Sequence, residues 1–128
     1  MKFLLIEDER ILAELIRLFL QSQGHTITLA SDGQAGIDSY MRSLDSNYLF
    51  DLVITDYRMP RKDGGQVVRE IFSVKPDQKI ILSTAFSIDY VHAPTDIPTE
   101  MVHVLKKPYD FNELETLIET LFEKQVAR

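Results

Sequence analysis

Asp51-Leu52-Val53-Ile54-Thr55-Asp56-Tyr57-Arg58-Met59-Pro60 decides the fold: an apolar, β-branched run ends on an acid and gives way to a proline-containing loop. A short continuous apolar run bounded by turn residues reads as a strand buried on both faces, as in a parallel sheet. Two other stretches have the same form. Phe3-Leu4-Leu5-Ile6 runs into Glu7-Asp8-Glu9, and Met101-Val102-His103-Val104-Leu105 runs into Lys106-Lys107-Pro108. In such a sheet the carboxyl ends of the strands form the crevice where ligands bind. Glu7, Asp8, Asp56 and Lys107 therefore gather at one rim. That set suits a divalent cation and a phosphoryl group.

Outward from the central strand, the remaining elements alternate. The first strand covers about Lys2 to Glu7, and a helix follows from Arg10 with Ile11, Leu12, Leu15, Ile16, Leu18 and Phe19 on a broad apolar face. Asp8 or Glu9 is placed to cap it, and Gly24 to end it. His25 to Ala30 is a β-branched strand, and Ser31-Asp32-Gly33 opens a second helix that closes at Asp45-Ser46-Asn47. The third strand spans Leu49 to Thr55, and Arg58 to Gly65 is a loop by its Pro, Asp and Gly content. A short helix through Val67, Val68, Ile71 and Phe72 precedes the fourth strand, Lys79 to Ser83.

Pro94 and Pro98 interrupt the next expected helix, and a proline in a helix interior costs about 3 kcal/mol. At most one turn around Ser87 to His92, then an irregular loop, is expected there. The fifth strand is Met101 to Lys106, and a last helix runs from about Asp110 to Lys124. Strand–helix alternation predicts an α/β fold, a flavodoxin-like doubly wound (βα)5 sandwich with a parallel five-stranded sheet in the order 2-1-3-4-5 and a short or irregular fourth helix.

The chain of 128 residues fits one domain, read as residues 1–128. The net charge of -6 argues against direct nucleic-acid binding, because a phosphate backbone attracts Lys and Arg. No apolar stretch reaches the roughly 18 residues a membrane span needs. Cysteine is absent, so there is neither a disulfide framework nor a thiolate metal site, and a cytoplasmic protein is the simplest expectation. His25, His92 and His103 lack metal-ligand spacing and read as surface or loop residues.

Glu7-Asp8-Glu9 alone would read as a helix cap, but Asp56 at a neighbouring strand end changes that. Like charges so close raise one another's pKa unless a cation is present, and magnesium prefers a few carboxylates, waters and phosphate oxygens. Lys107 supplies a point charge for a phosphoryl oxygen, and Thr84 a hydroxyl donor at the same rim.

The chain resembles a response-regulator receiver domain of two-component signalling, of the chemotaxis-regulator type. The matching stretches are Leu4 to Glu9, Asp51 to Pro60, Asp63-Gly64, Ile80 to Ala85 and Lys106-Lys107-Pro108-Tyr109, in order from one end to the other. The resemblance implies a signalling domain, not an enzyme acting on a separate substrate. It implies that Asp56 accepts a phosphoryl group from a sensor histidine kinase or phosphotransfer protein. Asp8, Asp56 and the backbone carbonyl of Arg58 would bind Mg2+, with Glu7 in the outer shell or as an occasional ligand. Thr84 and Lys107 would hold the phosphoryl oxygens, with the Ala85 amide assisting and a cis Lys107-Pro108 bond aiming the lysine. A downstream protein target or output domain reads the change, and members often form homodimers.

The chain departs from the family pattern in places. The aromatic residue that the resemblance puts on the fifth strand falls at Val104, and Ala93 to Pro98 replaces much of the fourth helix. That segment is expected to be mobile and to order on phosphorylation or partner binding. Arg58 and Phe86 occupy positions that the resemblance links to phosphoryl lifetime. Three rivals compete. A flavodoxin-type carrier would need a Ser/Thr/Gly phosphate cradle after the first strand, and a metal-dependent phosphatase would place a second acid where Arg58 stands. A receiver-like interaction module working without phosphorylation remains the main alternative.

Overall fold

The computed structural model describes residues 1–85 and 102–123. The expectations for Ser87 to His92, Pro94, Pro98 and Phe86 lie outside the described residues. The elements are β1 (Lys2–Ile6), α1 (Arg10–Ser22), β2 (Thr26–Ala30), α2 (Gly33–Asp45), β3 (Leu52–Asp56), α3 (Gly64–Val74), β4 (Lys79–Thr84), β5 (Val102–Lys106) and α4 (Phe111–Leu121). The five strands are all parallel, in the order β2-β1-β3-β4-β5. This is the doubly wound, flavodoxin-like arrangement expected from the alternation.

The period-two geometry of a strand sends alternate side chains to opposite faces. On β1, Phe3 and Leu5 join Leu52, Ile54 and Ile81 against Ile16 and Leu20 of α1 and Leu114 and Ile118 of α4. Leu4 and Ile6 join Val53 and Ile80 on the other face, against Ile37 and Tyr40 of α2 and Val67, Val68 and Ile71 of α3. Each such side chain, fully buried, contributes about 1.5–3 kcal/mol. Both faces of β1 and β3 are covered, which fixes their carboxyl ends side by side.

The helix ends follow local chemistry. At the end of α1, His25 N–H donates to Leu20 O at 3.2 Å and Gly24 N–H to Gln21 O at 3.0 Å. Gly24, at φ 95°, takes the left-handed conformation that this paired closure requires. Asn47, at φ 58°, closes α2 in the same way, with Tyr48 N–H on Ser43 O. Asp32, Asp63 and Asp110 cap α2, α3 and α4 through their side chains.

Some boundaries differ from expectation. Neither Asp8 nor Glu9 caps α1: Glu9 is the N-cap residue, but no side chain bonds the free amides, and Glu9 N–H instead donates to Glu7 Oε2 at 3.1 Å. The acids face the rim. Gly64 and Gly65 belong to α3 and not to the loop, because the Asp63–Gln66 capping box starts the helix earlier. β3 begins at Leu52; Asp51 is occupied with Lys2, whose N–H donates to Asp51 Oδ2 at 2.8 Å. His25 lies in the loop before β2, half-buried, with its ring stacked on Phe3 at 4.4 Å, whereas His103 is a half-buried residue of β5 rather than a surface or loop residue.

Candidate functional site

The ends of β1 and β3 bring the acids together. Glu7 follows β1 and is buried, Asp8 is exposed beyond it, and Asp56 closes β3 with 9% of its surface exposed. One carboxylate oxygen from each of Glu7, Asp8 and Asp56 lies within 4.8 Å of the others. An all-oxygen, acidic donor set of this kind fits a hard divalent cation.

Lys107, one residue past β5, closes the cup. Its Nζ lies 3.2 Å from Asp56 Oδ1 and 3.6 Å from Glu7 Oε1. Its backbone N–H donates to Thr84 O at 2.7 Å, which holds the lysine there, and the Lys107–Pro108 peptide is cis, as expected. Thr84, at the end of β4, is buried beside it. The Tyr57 N–H is shared between Ser83 O at 2.9 Å and Asp56 Oδ1 at 3.0 Å, so Asp56 has only part of that donor.

The electrostatics follow from crowding. Burial raises the pKa of Asp56, and Asp8 adds to it, against the opposing pull of Lys107 and the Tyr57 amide. Glu7 is also raised, by burial first and then by Asp56. Burial alone would lower Lys107, but Asp56 and then Glu7 outweigh it and hold the lysine above its usual value. Two acids that resist ionisation and one lysine that resists deprotonation mark a site short of positive charge.

The loop after β3 is fixed by close backbone approaches. A side chain on Gly64 would meet Asp56 O at 2.7 Å and Tyr57 Cα at 2.9 Å, so the start of α3 is pressed directly against the Asp56–Tyr57 backbone. A side chain on Gly33 would meet Lys62 O at 2.1 Å. Arg61, at φ 74°, sits near Asp32 at 3.7 Å, and Lys62 pairs with Glu70. Arg58 is exposed two residues beyond Asp56. Val104 is half-buried and registers with Leu82.

Sequence reasoning brought together Glu7, Asp8, Asp56, Thr84 and Lys107, and the structure does the same. It missed the shared Tyr57 amide and the packing of Tyr109 against the α1–α4 side of the core. Backbone donors leave no residue-type signal, but the aromatic residue directly after Lys107-Pro108 was a visible one.

The sequence model of the response regulator receiver domain matches residues 3–119. The chain belongs to that family. Its receiver fold is shared with the response regulator TrrA of Thermotoga maritima, solved in complex with Mg2+-BeF, at 31% identity and a TM-score of 0.77; the match covers 94% of this chain and 98% of that one. Among curated relatives, the response regulator ArlR of Staphylococcus epidermidis is 33% identical over 95% of this chain and 52% of its own length. The transcriptional regulatory protein RprY of Bacteroides fragilis is 28% identical over 97% of this chain and 50% of its own. This receiver chain thus spans about half the length of those two relatives. Receiver domains are signalling domains of two-component systems, and no described helix is long and apolar enough to cross a membrane.

Proposed function

We propose that residues 1–128 form one phosphoacceptor receiver in which Asp56 takes a phosphoryl group from a histidine kinase or phosphotransfer protein. The observation that carries this reading is Lys107 held 3.2 Å from Asp56 inside a cup completed by Glu7 and Asp8. Asp8 and Asp56, with the Arg58 carbonyl, hold Mg2+, and Glu7 supports it from close by. Bound magnesium neutralises charge between the carboxylate and an incoming phosphoryl group. The Mg2+-BeF complex of TrrA supports that assignment.

Phosphoryl transfer asks a protein mainly to position groups and balance charge on the equatorial oxygens. An Asp56 carboxylate oxygen forms a bond to phosphorus as the P–N bond of the donor phosphohistidine breaks, leaving the imidazole as the leaving group. Lys107 exchanges its pairing with Glu7 and Asp56 for the transferred oxygens. Thr84 donates its hydroxyl to them. Asp56 resists ionisation in the bare site, so a cation close by is needed to make it a nucleophile.

The donor must reach Asp56 past α1. Ile11, Leu15 and Leu18 are 74%, 50% and 55% exposed along that helix, and Leu12 lines a groove with Pro108, Tyr109 and Phe111 that runs to Lys107. This face suits a helical protein donor. A downstream protein target in the cytoplasm completes the pathway. The site assignment is tested by loading the protein with phosphoramidate and magnesium, reducing with borohydride and sequencing by mass spectrometry. Conversion of residue 56 to homoserine is expected; modification elsewhere would remove Asp56 from the role.

A further inference from the structure

The loop between β3 and α3 is an arch on fixed feet. Gly64 N–H donates to Tyr57 O at 2.7 Å and closes its base, while Met59 packs against the α2–α3 side of the core. At the crown, Lys62 N–H donates to Pro60 O at 2.8 Å across Arg61, whose φ of 74° lies in the left-handed region. A three-residue turn of that hand is rare and strained, and a strained residue other than glycine persists only where its surroundings hold it. Part of what holds this one comes from a different element. Gly33, buried in the first turn of α2, stands so close that a Cβ there would meet Lys62 O at 2.1 Å and Lys62 C at 2.8 Å. The Arg61–Asp32 pair, 3.7 Å apart with the arginine side chain 61% exposed, adds little beside that backbone contact.

We propose that Gly33 is a positioning residue for the metal site: the start of α2 braces the strained Pro60-Arg61-Lys62 turn, and the stiff turn carries that constraint along the arch to the Arg58 backbone carbonyl. This rests on the assignment of that carbonyl, with Asp8 and Asp56, to the magnesium site. Only Met59, Pro60 and Arg61 separate Arg58 from Lys62, and the ring of Pro60 locks its own φ. A backbone ligand has no rotamer to adjust, so it goes where its chain is held. Groups behind a metal's direct ligands commonly decide how well those ligands are presented. Gly33 touches neither the ion nor a reacting atom. Its contribution is the missing Cβ, which lets α2 approach the turn.

The test compares Gly33→Ala, Arg61→Gly and the two combined, with Asp32→Asn as a control that keeps the helix cap and removes only its charge. Magnesium affinity is measured by calorimetry at a temperature where every variant is folded. The metal-free thermal midpoint and the amide resonance of Met59, whose peptide carries the Arg58 carbonyl, are recorded beside it. Gly33→Ala is expected to shift that resonance and to weaken magnesium about five-fold. Arg61→Gly is expected to weaken magnesium about three-fold while its midpoint holds or rises, because glycine takes a positive φ without strain. A pliant turn absorbs the added methyl locally, so the combined variant binds magnesium like Arg61→Gly alone. Asp32→Asn binds as wild type. Wild-type affinity in Gly33→Ala with an unmoved Met59 resonance, losses that add in the combined variant, or an equal loss in Asp32→Asn would overturn the inference. Should Gly33→Ala fail to fold, Arg61→Gly decides: a loss at an undiminished midpoint supports the brace, and wild-type affinity overturns it. A wild-type protein that binds no magnesium, or whose binding survives Asp8→Asn, would instead remove the metal-site reading, and this inference with it.

Discussion

As the proposed phosphoacceptor, Asp56 would answer two opposed demands, because it must be buried enough to be shielded and ionised enough to attack. Burial raises its pKa and that of Glu7, so each carboxyl binds its proton more tightly folded than unfolded. Such groups add stability in acid, and lose it as pH rises through their raised values. Metal-free Asp56→Asn is therefore expected to be more stable than wild type at neutral pH, the gap closing as the pH falls below the ordinary carboxylate range. Urea denaturation across a pH series reads this, and a gap that widens in acid would contradict it. Lys107 has the converse role. Removing it as Lys107→Met leaves Asp56 and Glu7 facing each other and is expected to cost about 1–2 kcal/mol without metal, measured by the same titration. Magnesium should restore most of that loss. These residues were legible in the sequence because each ends or follows an apolar run. The shared Tyr57 amide was not, since a backbone donor looks the same at every position.

The connection from β3 to α3 is tightly built. Gly64 presses on the Asp56 carbonyl and Tyr57 Cα, which are backbone atoms and cannot swing aside. Gly64→Ala is expected to destabilise the protein by ~2 kcal/mol and to disturb Asp56 directly. Chemical denaturation gives the first effect and phosphoryl uptake the second; normal values for both would mean that α3 shifts freely. The sequence placed Gly64 and Gly65 in the loop because glycine pairs usually break helices, whereas here the Asp63–Gln66 capping box begins the helix ahead of them. Similarly, acids before α1 suggested a cap, but Asp8 is drawn with Glu7 to the rim, where Glu7 accepts from Glu9 N–H. Local propensity lost to the site's geometry in that case. On α1, the exposed Ile11 and Leu15 make a separable prediction. Ile11→Ala with Leu15→Ala should reduce phosphorylation by a protein donor several-fold, by analogy with truncating anchors at an interface, while leaving uptake from acetyl phosphate unchanged. Equal losses with both donors would place the effect on folding rather than docking.

The whole molecule is a doubly wound sheet whose strand order makes one functional rim. Apolar runs read the inner strands β1, β3 and β4, which are buried on both faces, β-branched content read β2, and the right-handed-crossover rule supplied the order β2-β1-β3-β4-β5. The same topology concentrates three acids at the ends of β1 and β3, and only a cation makes that arrangement comfortable. Magnesium is accordingly expected to stabilise the native state by mass action, by about 1.4 kcal/mol at ten times its dissociation constant, and the gain should be lost in Asp8→Asn. A gain of equal size in Asp8→Asn would place the ion elsewhere. Above all, the proposed function has one buried carboxylate, that of Asp56, become an acyl phosphate beside Lys107. Intact mass after incubation with acetyl phosphate and magnesium measures this directly. Wild-type protein should gain the mass of one phosphoryl group and Asp56→Asn none; no gain in the wild type, or an undiminished gain in Asp56→Asn, would contradict the account.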